Sequence, residues 1–293
     1  MRSFEDYDPI TGTIIILLSA GVSMFCTEPV IQLLSLIGAV SYFSARRKKT
    51  GSIRTHITFL ILFLILSAAN PLVSHNGVTV LMVVNDNPIT LEALLYGINS
   101  SVMMISVLYW LRSFSDITTS EKLLYITGAF SPKLSLLISM SVRFVPMFRR
   151  QAEKTSDAQR TMGLYRDENV IDRFLCTIRV FSAVVTWALE TGIITAESMD
   201  ARGYGTGRRT CFSVYRMRGH DIILLAAGII LSSVCVTAYA AGKLGMNFYP
   251  SLSRTRPDIL GTVGLICYGI LVMLPFAAEI GARLKWKYLM SEI

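Results

Sequence analysis

Long apolar segments restrict this sequence to a membrane fold. Residues 10–44 form an apolar run about twice as long as one bilayer crossing needs, and Glu28-Pro29 interrupts it. Further apolar segments follow at 55–69, 91–111, 222–241 and 259–280. Since 52% of the residues are hydrophobic and only 16% are charged, composition excludes a soluble domain of this size. We therefore predict an all-α, polytopic membrane protein with about six transmembrane helices.

Basic residues fall mainly on one side of this arrangement. If the N-terminus is cytoplasmic, the cytoplasmic segments carry 25 of the 28 Lys and Arg residues, and the outer loops carry three. This asymmetry satisfies the positive-inside rule. We therefore expect a multi-pass protein of the cell membrane, in contact with the lipid bilayer and with both termini in the cytoplasm. The high hydropathy excludes nucleic acid as the partner that explains the basic pI.

A charged stretch separates the apolar segments into two groups. Residues 112–219 hold sixteen of the 28 Lys and Arg residues and ten of the 20 Asp and Glu residues, yet they keep an amphipathic helical pattern. We predict a four-span membrane region at 1–112, a cytoplasmic module of amphipathic helices at 113–219, and a two-span membrane region at 220–293.

Proline and small residues predict local features of the membrane regions. Asn70-Pro71 should end the third span, because proline cannot continue the hydrogen-bond ladder. The stretch 72–88 is then a loop, and Asn87-Pro88 should begin the fourth span as N-cap and first helical residue. Within that span, Gly97 and Ser101 provide a small-residue face for close helix packing.

The longest helix of the cytoplasmic module is predicted at 169–200. Its apolar residues recur at spacings of three and four, which places Phe174, Phe181 and Val185 on one stripe. We expect this stripe to be buried, either against a neighbouring helix of the chain or against a partner.

The predicted helix stops at Ala201-Arg202-Gly203. Glycine adopts the left-handed conformation at little cost, so Gly203 fits the position after a helix end. Arg202 then lies at an exposed tip, where the carbonyl end of the helix dipole favours a cation. Two interpretations remain open: the pair only ends the helix, or the guanidinium binds a carboxylate of a partner.

The sequence contains no constellation for catalysis or for cofactor binding. It has no GxxxxGK[ST] or HExxH motif, and its cysteines and histidines are isolated. Glu92 and Glu279 lie near span ends, and the spans hold few other ionisable residues. This pattern disfavours a carrier with its own substrate path. We predict a non-enzymatic protein without cofactor or metal; a self-contained permease or channel is the alternative.

Five short motifs in order identify a family resemblance. The chain resembles the transmembrane T component of energy-coupling factor (ECF) transporters, the EcfT/CbiQ family, over nearly its whole length. The motifs are Asn70-Pro-Leu-Val-Ser-His-Asn-Gly-Val-Thr79, Asn87-Pro-Ile-Thr90, Ser139-Met-Ser-Val-Arg-Phe-Val-Pro146, Asp157-Ala-Gln-Arg-Thr-Met-Gly163 and Ser198-Met-Asp-Ala-Arg-Gly-Tyr204.

The resemblance implies a scaffold that couples two ABC ATPases to a small substrate-binding S component, in an importer of vitamins or other micronutrients. In this family, two Ala-Arg-Gly-like motifs each insert an arginine into an ATPase. The second motif is intact here as Ala201-Arg202-Gly203. The first is Thr161-Met162-Gly163, without the usual arginine, and Arg160 and Arg166 are the two candidates to replace it.

The resemblance also implies an interface with the S component. The amphipathic helices would cradle that subunit, which assigns to it the stripe of Phe174, Phe181 and Val185. Arg143, Phe144 and Pro146 match the Arg-Phe-x-Pro of the family. For these three residues, structural and interface roles both remain open.

Overall fold

The structure, a computed structural model, describes residues 7–46, 49–74, 77–84, 87–163, 170–207, 215, 217–249, 252–254 and 258–291. These residues are almost entirely helical, which confirms the predicted all-α class. The elements, in chain order, are α1 (Pro9–Phe25), α2 (Pro29–Arg46), α3 (Lys49–Val73), β1 (Val80–Val84), β2 (Asn87–Thr90), α4 (Leu91–Ile117), α5 (Ser120–Phe130), α6 (Pro132–Thr161), α7 (Val170–Ala201), α8 (Gly219–Ala240), β3 (Met246–Asn247), β4 (Ser253–Arg254) and α9 (Ile259–Ser291).

Five helices in the described part of the chain are long and apolar enough to cross a membrane. They lie in α3, α4, α7, α8 and α9, so the polytopic membrane class is confirmed. The first apolar run forms two shorter helices: α1 has 17 residues and α2 has 18. The set includes α7, the least apolar of the five, which sequence analysis assigned to the charged module. Length and composition therefore do not decide whether α7 is a span or a helix of that module.

The described chain forms two compact units. One comprises Met1–Leu123 together with Tyr215–Ile293, and the other is Leu124–Val214. The first unit contains most of the buried apolar residues, whereas the second consists mainly of the long helices α6 and α7.

Gln32 joins the first two helices. Its amide donates hydrogen bonds to the carbonyl oxygens of Ser23 at 2.7 Å and Cys26 at 2.5 Å, and the Ser23 hydroxyl donates to Gln32 Oε1 at 3.0 Å. The Gln32 side chain is fully buried. It satisfies carbonyl groups that have no partner where α1 ends, and the predicted break at Glu28-Pro29 is thereby stabilised.

The core of the first unit is built from large side chains with satisfied polar atoms. The Trp110 indole donates from Nε1 to Ser35 Oγ at 3.2 Å, and the Tyr268 hydroxyl donates to the Ser19 carbonyl oxygen at 3.0 Å. Both aromatic side chains are fully buried. Because lipid tails are as apolar as leucine side chains, apolar burial does not drive helices together in a membrane. Close packing and such hydrogen bonds hold them together instead.

Two predicted helix boundaries are wrong. Helix α3 continues through Pro71 to Val73, because proline so near the helix end removes one backbone hydrogen bond only. The last turn is closed by the Ser74 N–H, which donates to the Asn70 carbonyl oxygen at 2.9 Å. Asn87-Pro88 belongs to β2, where it pairs with β1. The N-cap of α4 is Thr90, whose side chain accepts a hydrogen bond from the Ala93 N–H at 3.3 Å.

The stretch predicted as a loop contains an antiparallel hairpin of β1 and β2. The Glu92 carboxylate anchors it, accepting hydrogen bonds from the Thr79 backbone N–H at 3.3 Å and from the Thr79 hydroxyl. Gly77 lies so close that an added Cβ would be 2.6 Å from Thr90 Oγ1. Glu92 and Glu279, the two carboxylates near span ends, are both buried within the chain, and Arg283 Nε donates to Glu279 Oε1 at 3.2 Å.

Small residues permit the closest helix contacts. A Cβ added at Gly97 would lie 2.9 Å from the Asn70 Cβ on α3, and Ser101 is buried on the same helix, which confirms the predicted small-residue face. Gly38 of α2 lies even closer to α9, since its added Cβ would be 1.9 Å from Val272 Cγ1 and 3.1 Å from the Val272 carbonyl oxygen.

We expect Gly38→Ala to destabilise the protein by about 1–3 kcal/mol, the usual cost of overpacking, because the branched, fully buried Val272 side chain has little room to move. Gly21→Ala is the matched control: it lies within α1, and an added Cβ there meets no atom within 4 Å. The thermal unfolding midpoint in detergent should fall for Gly38→Ala only. Equal midpoints for the two variants would contradict the close α2–α9 contact.

Candidate functional site

The second unit presents an antiparallel pair of long helices. Phe148 of α6 packs edge-on against Trp187 of α7, with ring centroids 6.1 Å apart. Nearer the end of α6, Ser156 and Arg160 share a cavity with Thr177 and Val180 of α7. Contacts therefore move backwards along α7 as they move forwards along α6. The end of α6 consequently lies beside the start of α7, and the two helix ends point in opposite directions.

Helix α7 ends in a hydrogen-bonded glycine cap. Gly203 has φ 71°, and its N–H donates to the Asp200 carbonyl oxygen at 2.9 Å, while the Tyr204 N–H donates to the Met199 carbonyl oxygen at 3.0 Å. This pair of bonds defines a Schellman motif, and the predicted role of Gly203 is confirmed. Ala201 and Arg202 are exposed. The guanidinium therefore lies at the helix tip, accessible to a partner.

Helix α6 ends in a closely similar way. Gly163 has φ 72°, and its N–H donates to the Arg160 carbonyl oxygen at 3.0 Å. Met162 is the C-cap residue, its N–H donates to the Ala158 carbonyl oxygen at 3.1 Å, and its side chain is 71% exposed. Relative to its glycine, Met162 occupies the position that Arg202 occupies on α7. The first tip therefore presents a thioether where the second presents a guanidinium.

Arg160 lies in a polar setting beside this first tip. It lines a cavity of about 510 Å³ together with the carboxylates Glu153 and Asp157. The cavity lies in the groove between α6 and α7, beside the last turns of α6, and the Arg160 side chain is exposed. Arg166, the other candidate for the missing arginine, lies outside the described residues.

The predicted stripe of α7 is exposed within this chain. Exposed fractions are 66% for Phe174, 68% for Phe181 and 39% for Val185. Burial against a neighbouring helix of the chain was one of two predicted alternatives, and it is wrong. A different flank packs inwards, with Cys176 buried and Val184 and Trp187 half-buried. Because α7 is apolar on both flanks, periodicity could not identify which one would meet α6.

The Arg143-Phe144-Val145-Pro146 segment divides between two roles. Phe144 is half-buried and stacks on Phe148, with ring centroids 5.6 Å apart and an interplanar angle of 7°. Arg143 and Pro146 are exposed on α6, and the helix continues through Pro146. Phe144 thus supports the aromatic contact between α6 and α7, while Arg143 and Pro146 face outwards.

The first two motifs contact each other in the first unit. Thr79 of one motif and Thr90 of the other meet at Gly77 and Glu92. Sequence reasoning did not identify Glu92 as the residue that holds them, although its position two residues after the second motif was a signal. Among the described residues, no group of His, Cys, Asp and Glu side chains is arranged to hold a metal ion.

Comparison with known proteins agrees with this arrangement. The family model described as cobalt transport protein, CbiQ, matches residues 10–211. The chain is 33% identical over 101 residues to the energy-coupling factor transporter transmembrane protein EcfT of Lactobacillus helveticus (strain DPC 4571), covering 34% of this chain and 36% of that protein. It is 32% identical over 104 residues to the EcfT of Listeria innocua serovar 6a (strain ATCC BAA-680 / CLIP 11262), covering 35% of this chain and 39% of that protein.

These pairwise matches span well under half the length of the relatives, whereas the family model spans most of the present chain. The matched range contains both helix tips with their glycines, Gly163 and Gly203. The chain therefore belongs to the CbiQ family, the membrane T components that its sequence motifs indicated.

Proposed function

We propose that this chain is the transmembrane scaffold of an ECF-type importer for vitamins or other micronutrients, and that it couples two ABC ATPases to a small S component. The observation that carries the proposal is the exposed Arg202 on a rigid, glycine-capped helix tip, in a chain of this family. The relatives that it matches are named as transmembrane proteins of energy-coupling factor transporters. The chain itself does no chemistry in this scheme, and ATP hydrolysis belongs to its partners.

The two surfaces of the helix pair fit two kinds of partner. The tip residues, Ala201, Arg202 and Gly203 at one end and Arg160, Met162 and Gly163 at the other, would contact the ATPases. The exposed flank of Phe174, Phe181 and Val185, with Arg143 and Pro146 on α6, would face the S component, and Phe144 would support it from within. Closure of the ATPases would then displace the tips, and the rigid helices would carry that displacement to the S component.

This scheme requires residues 113–219 to lie in the cytoplasm, between the membrane regions 1–112 and 220–293. The charge asymmetry of the sequence supports that orientation. Both termini are then cytoplasmic, and the loop that contains β3 and β4 lies outside.

We expect single cysteines to report this orientation in a background without the native cysteines. Asn247→Cys in β3 should react with an impermeant maleimide added to intact cells, because Asn247 is exposed. Gly205→Cys, which is exposed after α7, should react only after the cells are permeabilised. Labelling of Gly205→Cys in intact cells would contradict a cytoplasmic module.

We expect Phe181→Asp to release the S component while the ATPases stay bound. A carboxylate on the exposed flank would be desolvated without a partner when the S component docks, which is strongly unfavourable. Thr186→Asp is the matched control, since Thr186 is exposed on another flank of the same helix. Co-purification in mild detergent measures both partners. The thermal midpoint of the isolated chain should not change, because Phe181 is 68% exposed there; unchanged S-component recovery would argue against this interface.

We expect Arg202→Ala to weaken ATPase association about a hundredfold or more, since truncating one partner of a desolvated arginine–carboxylate pair costs roughly 2–5 kcal/mol. Arg202→Glu should be worse because like charges would meet. Arg202→Lys should restore part of the affinity, since an ammonium lacks the planar fork. Arg160→Ala should have the smaller effect, because Arg160 lies in the groove beside its tip.

ATPase co-purification and ATP-dependent uptake measure these variants. Arg179→Ala is the matched control, because Arg179 is also exposed on α7 but lies in the first third of the helix, far from the Arg202 tip. If Arg202→Glu keeps both ATPases and transports normally, the Arg-Gly pair only ends the helix. Purification of the unmodified chain without any bound ATPase would instead indicate a self-contained permease.

A further inference from the structure

The two tips of the helix pair share one backbone geometry but present opposite chemistry. Each has a left-handed glycine, with φ 72° at Gly163 and 71° at Gly203. In each, the glycine N–H donates to the carbonyl oxygen three residues earlier, at 3.0 Å and 2.9 Å respectively. The residue before each glycine is therefore held in an equivalent position. On α7 that residue is a cation, and on α6 it is the apolar Met162.

Met162 is placed as a contact residue and not as a core residue. Its side chain is 71% exposed, although it follows a helix whose half-buried face packs on α7. Methionine is flexible and polarisable, and it adapts to irregular apolar surfaces. An exposed methionine on a fixed helix end is a suitable side chain to enter an apolar pocket, and its burial there would contribute about 1.5–3 kcal/mol, which corresponds to about 10- to 100-fold in affinity.

The nearest described cation does not occupy the position that the cap fixes at this tip. Arg160 is the nearest described cation before the tip, and it lines the cavity that also holds Glu153 and Asp157. Arg160 is exposed there, and Glu153 is paired with Arg149, whose Nε lies 3.2 Å from Glu153 Oε1. At the cap position itself an acidic groove would meet the uncharged Met162 on α6, whereas on α7 it meets Arg202.

We propose that the end of α6 docks into an apolar pocket of its ATPase, with Met162 as the inserted side chain, while the end of α7 docks into an acidic one. This inference rests on the proposed function. It implies that the two ATPase surfaces that receive the tips differ in chemistry. Since α6 and α7 are antiparallel and each about 45 Å long, the tips lie at opposite ends of the pair and reach separate surfaces.

The test is whether a cation at position 162 weakens or strengthens ATPase binding. Met162→Leu should keep ATPase binding within about twofold, because its apolar volume is similar. Met162→Arg should weaken ATPase binding at this tip about tenfold or more, since the guanidinium would be desolvated without a carboxylate. If the receiving groove is acidic, Met162→Arg will instead strengthen binding, and that result overturns the inference.

The variants are best compared in an Arg202→Glu background, where the remaining ATPase recovery reports the α6 tip. Val142→Arg is the matched control, because Val142 is 48% exposed on the same helix but lies far from its end. It should leave ATPase recovery unchanged. Equal recovery for Met162→Leu, Met162→Arg and Val142→Arg would also overturn the inference.

Two measurements keep this test separate from the proposed function. Co-purification with the unmodified chain first establishes whether ATPases bind at all; if none binds, the proposed function fails and not the apolar pocket alone. Thermal unfolding of each isolated variant then excludes misfolding as the cause of lost binding. Met162 is exposed in the chain, so its substitutions should leave the midpoint unchanged.

Discussion

Backbone hydrogen bonding in a medium without water is the constraint on which this structure depends. Lipid offers no partner to a free N–H or carbonyl group, so the spanning segments must be helices. Where a helix ends inside the first unit, a buried side chain provides the partner, as Gln32 does after α1. Helix association then relies on close approach, which Gly38 and Gly97 allow. The membrane unit is therefore held by small residues and by a few buried polar ones.

In the second unit, backbone hydrogen bonds fix the ends of two long helices. Its helices pair through an aromatic contact of Phe148 with Trp187, and each ends in a left-handed glycine. These glycines fix the position of one side chain per tip, because the cap bonds hold the backbone there. A long helix with a defined end can transmit a displacement, whereas a flexible loop at the same place would absorb it. The apolar flank that remains exposed is the surface that we propose for the S component.

Most of the fold could be predicted from the sequence, and the errors have a common cause. The break at Glu28-Pro29 and the αL glycine at 203 follow from local steric rules, and the structure has both. Pro71 and Pro88 were misinterpreted, because a proline restricts the chain without fixing where a helix ends. The outcome at Pro88 depended on its neighbours in space: the hairpin gives Pro88 a pairing strand, and Glu92 holds that hairpin to the start of α4.

The sequence by itself determined the helical class, the long apolar segments and the residues at the two tips, including the methionine at the place of an arginine. These features depend on neighbours within about one helical turn. Tertiary structure alone decided which flank of α7 packs against α6, because both flanks are apolar and only the facing side chains of α6 distinguish them. It also decided that the two tips share one geometry and point in opposite directions. That outcome follows from the antiparallel register of the pair, which no local pattern encodes.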